Sequence, residues 1–336
     1  MKKNLDEVSF MRPILIVLVV LYHAMAIHTG NWHLPEGTEQ IGVYSAVGRI
    51  AYIFMLEAFV FMSGYVWAFQ REQKGEEKFG VLVKKKAMRL LVPCYLFGIL
   101  YALLLERENS LVENIIDVLT GIGHLWFLFM LFVCFIVLWC VLKWTPKNRW
   151  GGVFLLFLML ALFSYVDLPM QIPNIMYYLL FFFMGYAMYS YRERLMNHIN
   201  VKHVVVAWAV FVILYIGLSY VRNYGIVNLE EGNMLEIVKK GCRMGYTIVG
   251  LMAFYLTSVY VVSRVKISPW WIKIGTMCFG VYIFQQFILQ GLYYHTSLSV
   301  LVEPLLLPWL AFAVTLFGSV LLTWLFRKTT LGRRIL

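Results

Sequence analysis

Arg12 and His23 are separated by ten residues, PILIVLVVLY, none of them charged. On a helix, eleven steps give about 16 Å of rise and close to three turns, so the guanidinium and the imidazole project towards the same face. The apolar run continues past His23 to about residue 29, roughly 18 residues in all and enough to cross a bilayer. Ionisable groups inside such a run are costly and normally face a polar cavity or a partner. The structural alternative is a snorkelling arginine with a hydrogen-bonded, helix-packing histidine.

Glu57 stands in the second apolar run, about 15 Å from the start of that run at residue 47, a depth similar to that of His23. A carboxylate level with an imidazole would orient the ring and raise its basicity, as a general base requires. An ion pair that merely holds two helices together would use the same residues. Ser63-Gly64, a turn or two further on, reads as ordinary small-residue packing between membrane helices.

The stretch Lys84-Lys85-Lys86-Ala87-Met88-Arg89 precedes the third apolar run. A juxtamembrane basic cluster of this kind attracts anionic headgroups, which is its commonest use. It would equally hold a phosphate-bearing cytoplasmic cofactor through charge-assisted contacts, Arg89 preferentially through its fork of donors. The fourth run opens with His124-Leu125-Trp126. At an outer face these types usually form an interfacial belt. Their other use is sugar recognition, an aromatic face stacking on a ring and a histidine bonding a hydroxyl. His28, His33, His198, His203 and His295 fall at or beyond the ends of runs and read as interfacial.

The elements that position these groups must be membrane helices. The chain is 61% hydrophobic and 14% charged, with mean hydropathy +0.74. A soluble domain is about half apolar and about a quarter charged. The pattern predicts an all-α, polytopic helix bundle with spans near 12–29, 47–69, 90–105, 122–142, 151–166, 174–191, 203–221, 242–263, 272–293 and 303–326. No repeat or separate soluble segment is visible, so residues 1–336 read as one membrane domain. Lys2, Lys3, Arg71, Lys74, Lys78 and the Lys84–Arg89 cluster fall on one side, as do most later basic residues, which places both termini in the cytoplasm. Arg107, Lys239, Lys240 and Arg243 fall on the other. The net charge of +11 is therefore mostly topology, and nucleic-acid binding is an unnecessary explanation. The five cysteines sit in apolar runs without metal-ligand spacing, so neither metal nor disulfide is expected. The amino-terminal run lacks a cleavage site and reads as a first span, not a signal peptide.

Taken in order and spacing, Arg12…His23, EAFVFMSGY (57–65), KKAMRLLVP (85–93) and HLWFL (124–128) resemble the acyltransferase-3 family of integral-membrane acyltransferases. A later segment, GTMCFGVYIFQ (275–285), is similar to a late-span pattern of that family, which often has Ser and His where this chain has Cys278 and Gln285. The family's common Arg-Gly or Arg-Ala is Arg12-Pro13 here, acceptable if Pro13 lies in a first helical turn. The resemblance implies a ten-span core in the inner, cytoplasmic membrane. It also implies transfer of an acyl group, usually acetyl, from cytoplasmic acetyl-CoA to a hydroxyl of a glycan or lipid-linked sugar outside. Acyl-CoA is then a co-substrate, and no cofactor is permanently bound.

On that reading Arg12, Lys85, Lys86 and Arg89 hold the CoA phosphates at the inner rim, and the pantetheine arm threads towards His23. His23 is the general base, assisted by Glu57, or carries a transient acyl-imidazole. His124 and Trp126 contact the acceptor. A transporter or lipid-linked-sugar flippase would use Arg12, His23 and Glu57 as a polar path instead. It leaves the motif order and the basic rim unexplained.

Overall fold

The computed structural model describes residues 5–106, 110–224 and 232–336, so Lys2, Lys3 and Arg107 lie outside the described residues. The described chain is helical throughout, without strands. It opens with α1 (Asp6–Ala24), the single turn α2 (Ala26–Thr29), α3 (Gly42–Ala51) and α4 (Met55–Lys74). Next, α5 (Phe79–Lys86) passes through a π-helical stretch, Ala87–Leu91, into α6 (Val92–Leu105). A turn at 121–125 joins α7 (Leu111–Thr120) to α8 (Trp126–Trp144). Then follow α9 (Trp150–Leu162), α10 (Ile172–Tyr189), α11 (Arg192–His198), α12 (Val201–Tyr224) and α13 (Asn233–Arg264). The last are α14 (Pro269–Tyr294), α15 (Leu298–Leu301), α16 (Leu307–Phe326) and α17 (Thr330–Ile335).

Among the described residues, nine helical segments are long and apolar enough to cross a membrane. The chain is a polytopic all-α membrane protein. The fifth expected span, 151–166, is the 13-residue α9, about 20 Å long against a hydrocarbon core of about 30 Å. It ends at Leu162, and the chain then turns through 163–171, with Met170 and Gln171 both at positive φ. The first span also differs from expectation. Helix α1 begins at Asp6, so Pro13 lies inside it and not in its first turn. A proline there cannot donate to the carbonyl of Ser9, four residues back.

By internal packing the described residues fall into two compact units of interleaved segments. The first comprises the chain up to Met11, Leu56–Val83 and Met130–Ile267. Its amino-terminal anchor is Glu7, which is fully buried. Arg192 donates to both Glu7 oxygens, at 2.6 and 3.1 Å, and the Tyr65 hydroxyl donates to Oε1 at 2.8 Å. Tyr255 donates in turn to Tyr65 at 3.1 Å. A buried carboxylate needs such partners because removing charge from water costs several kcal/mol. Helix α12 lies along α13, where the Trp208 indole donates to Thr257 Oγ1 at 2.9 Å. Its other side, with Val205, Val206, Ile213 and Ile216, is exposed and apolar, as a lipid-facing surface should be.

Helices α4 and α10 approach backbone to backbone in the same unit. A Cβ on Gly64 would overlap the Phe182 carbonyl, and one on Gly185 would overlap the Phe61 carbonyl. Reciprocal glycines of this kind let membrane helices pack through their main chains. Gly185→Ala is expected to lower thermal stability in detergent by about 1–3 kcal/mol through overpacking. Gly151→Ala, at a helical position with open space around it, should leave the unfolding midpoint unchanged. Equal midpoints for both variants would show that the crossing tolerates side chains.

The second unit comprises Arg12–Met55, Lys84–Phe129 and Ser268–Leu336. Here α14 and α16 run antiparallel, since Gly280 faces Thr323 and Ile288 reaches Gly318. Leu289 and Tyr293 of α14 pack on Ala24 and Ile27 with Leu307 and Ala311 of α16. The Tyr293 hydroxyl donates to the Ala24 carbonyl at 2.6 Å, which pins the end of α1. His28, expected at an interface, is buried. Its Nδ1 accepts the Ile41 N–H at 3.3 Å, and the Gln40 amide donates to its carbonyl at 2.9 Å, so the loop after α2 folds back over the ring.

Candidate functional site

Of the eight expected site residues, all but Glu57 lie in the second unit. Arg12 and Arg89 interact electrostatically with one another, and Cys278 of α14 lies within the field of Arg12. Among the described residues neither guanidinium forms a hydrogen bond or an ion pair with a carboxylate. Two adjacent like charges repel, and an anion is what relieves the repulsion. Arg327, also near Cys278, is already committed: it donates to Thr276 Oγ1 at 3.2 Å and to the Leu336 carbonyl at 2.8 Å. Lys86 is buried beside the same stretch, whereas Lys85 and Arg89 are exposed.

The backbone explains how Arg89 is presented. Pro93 has no N–H, so the carbonyl of Arg89 lacks its usual partner four residues on. The helix answers by widening to a π-turn over Ala87–Leu91, in which the Val92 N–H donates to the Ala87 carbonyl five residues back. Single π-turns inside α-helices occur often at functional sites. The KKAMRLLVP motif thus sets a turn as well as a charge.

At the other end of α1, His23 Nδ1 lies 2.9 Å from the Val19 carbonyl. A carbonyl only accepts, so Nδ1 carries the proton and the neutral ring keeps its lone pair on Nε2. His23 also interacts electrostatically with His124. His124 is fixed in the complementary sense: Nε2 donates to the Ile283 carbonyl at 3.0 Å, and Tyr282 donates to the carbonyl of His124 itself. Its Nδ1 is buried without a hydrogen bond. Residue type alone suits His124 to an outer belt, but it is buried between α6 and α14, with the Tyr101 ring 6.1 Å away. The turn that carries it depends on two glycines at positive φ. A Cβ on Gly121 would overlap the Trp126 backbone, and one on Gly123 would press on the Tyr101 ring. Trp126, the first residue of α8, is part-buried and packs on Phe127 at 6.1 Å.

Glu57 lies in the first unit. It is buried, accepts from the Tyr177 hydroxyl at 3.0 Å, and faces Arg243 at 3.9 Å. The acceptor at His23 Nδ1 is the Val19 carbonyl, so the ring-orienting part expected of Glu57 is played by the backbone.

Sequence reasoning missed the aromatic cover of His23. Trp32, in the loop after α2, stacks on the His23 ring at 5.9 Å and 29° and stands edge-on to Tyr293 and Tyr294, each at 6.4 Å. Tyr22 contacts His23 edge-on at 5.0 Å and stacks on Tyr52 at 4.5 Å, while Asn31 donates to the Tyr22 hydroxyl at 2.9 Å. The available signal was Asn31-Trp32 directly after Gly30, which sits at positive φ and turns the chain back.

The profile of the acyltransferase domain family, acyltransferase-3, matches residues 5–328, nearly the whole chain. The chain belongs to the acyltransferase-3 family. It is a multi-pass membrane acyltransferase. Searches of curated proteins and of solved structures returned no significant match.

The turn at 121–125 gives a direct test of the imidazole pair. Gly121→Ala should displace His124 and lower acyl transfer about a hundredfold, the usual cost of a displacement near 1 Å in an active site. Transfer rate and thermal midpoint measured together decide it, and an unchanged rate would remove His124 from the site.

Proposed function

We propose that this acyltransferase moves acetyl from cytoplasmic acetyl-CoA to a hydroxyl of a cell-surface glycan or lipid-linked sugar on the outer face of the inner membrane. The observation that carries the reading is the fixed tautomer of His23, whose basic Nε2 stands about 16 Å along one helix from Arg12. Arg12 and Arg89, with Lys85 and Lys86, hold the phosphates of CoA, which cannot enter hydrocarbon. The slender pantetheine arm spans the distance to the imidazoles.

In the transfer step His23 Nε2 takes the proton of the acceptor hydroxyl as its oxygen attacks the thioester carbonyl carbon. A C–O bond forms, the C–S bond breaks, and the leaving thiolate recovers the proton from the imidazolium as CoA–SH. Attack by Nε2 itself, giving a transient acyl-imidazole, uses the same atoms in two steps. His124 bonds the acceptor, and Trp32 and Trp126 offer it aromatic faces. Glu57, with Tyr177 and Arg243, assists by holding α4, α10 and α13 together.

Labelled acetyl-CoA and cell envelopes test this. His23→Ala at matched expression should reduce label in envelope carbohydrate about a hundredfold or more, the range of general-base effects. Arg89→Ala should raise KM for the donor with kcat largely retained, the mark of lost uniform binding. Equal labelling with and without His23 would reject its role.

A further inference from the structure

Gln285 lies inside α14, on the helix that carries the contacts to His124. It is fully buried, and neither its Nε2 nor its Oε1 makes a hydrogen bond. Its neighbours on α14 are engaged: Tyr282 and the Ile283 carbonyl hold His124, and Gln286 accepts from Tyr101 at 3.4 Å. A buried amide without partners is unfavourable, and a ligand that bonds it removes that cost.

Position along α14 says which ligand. Gln285 lies two helical turns, about 10 Å, beyond Cys278 on the same face, and Cys278 is the residue in the field of Arg12. Eight residues further on, about 12 Å, Tyr293 bonds the end of α1 at Ala24, next to His23. Along α14, Gln285 therefore stands between Cys278 at the cationic end and Tyr293 at the end of α1, two residues past the Ile283 carbonyl that holds His124. On the facing helix α16, the hydroxyls of Thr315 and Ser319 are also buried without partners. They share a stripe with Thr323, which packs on Gly280.

We infer that Gln285 is the binding residue for a secondary amide of the acyl donor's arm. This inference rests on the acyl-CoA reading above. A primary amide presents donor and acceptor side by side, and a secondary amide offers the complementary acceptor and donor. Between its phosphates and its thioester, the pantetheine of CoA carries two such groups. A water or inorganic ion could use one side of the Gln285 amide, whereas a secondary amide uses both.

The test is equilibrium binding to the purified full-length protein in detergent, using acetyl-CoA and two analogues in which one or the other pantetheine amide N–H is replaced by an ester oxygen. Wild type should bind one of the two analogues about tenfold more weakly than acetyl-CoA, the worth of one good hydrogen bond. Gln285→Met keeps the length and removes both polar atoms. It should bind acetyl-CoA about tenfold more weakly and no longer discriminate against that analogue. Its ligand-free unfolding midpoint should equal or exceed that of wild type, because an unsatisfied amide has been removed.

Wild type that binds all three compounds alike would overturn the inference without recourse to any variant. So would a Gln285→Met protein that keeps wild-type discrimination, or one whose midpoint falls while all three affinities drop together. Wild type that binds no acetyl-CoA would overturn the donor reading as well, whereas binding without amide discrimination would overturn this inference alone.

Discussion

The bond from His23 Nδ1 to the Val19 carbonyl governs what the rest of the site can do. It is made within one helix, so it does not depend on a distant residue arriving correctly. It fixes both the rotation of the ring and its tautomer, and directs the one basic nitrogen away from the helix. A carboxylate partner at Nδ1 would make the ring more basic. The backbone carbonyl orients it without adding a negative charge to an apolar interior, where a second buried ion would cost several kcal/mol. The burial of Glu57 with Tyr177 and Arg243 fits the same economy of charge.

The opposite end of α1 follows the reverse logic. Arg12 and Arg89 are within each other's electrostatic reach, and among the described residues neither pairs with a carboxylate, so an anion between them would be favoured. Proline shapes both positions. Pro13 breaks the helical ladder immediately after Arg12, and Pro93 forces the π-turn that carries Arg89. Each proline frees a carbonyl and alters the helix beside a cation. In the proposed function the cations take the phosphates of the donor, and the imidazoles take its thioester end.

Much of this was legible in the sequence. Long apolar runs are unambiguous, and the spacing of Arg12 from His23 fixes their relation once the run is helical. The basic stretch before Pro93 was also visible as charge. Features that rest on contacts distant in the chain were not. Glu7 looks like an ordinary first-turn acid until Arg192, 185 residues away, is seen to bury it. The buried contact lies in the first turn of α1, ahead of the apolar run. Trp32 reads as a loop aromatic because nothing local says that the loop folds over His23. His124 reads as a belt residue until Gly121 and Gly123 are recognised as the residues that tuck it between helices. The π-turn was latent in Pro93, but periodicity cannot distinguish a widened turn from a regular one.

The central claim is that the donor enters at the Arg12 end and the acceptor meets it at the His23 end. Sealed inverted membrane vesicles test it most directly, because their cytoplasmic face is outward. Acetyl-CoA labelled in the acetyl group is supplied outside, and label on carbohydrate is then challenged with a membrane-impermeant deacetylase before and after lysis. The account predicts label that resists the deacetylase until the vesicles are opened, with free CoA released outside. Label removed from intact vesicles, or transfer that requires acetyl-CoA inside them, would contradict it.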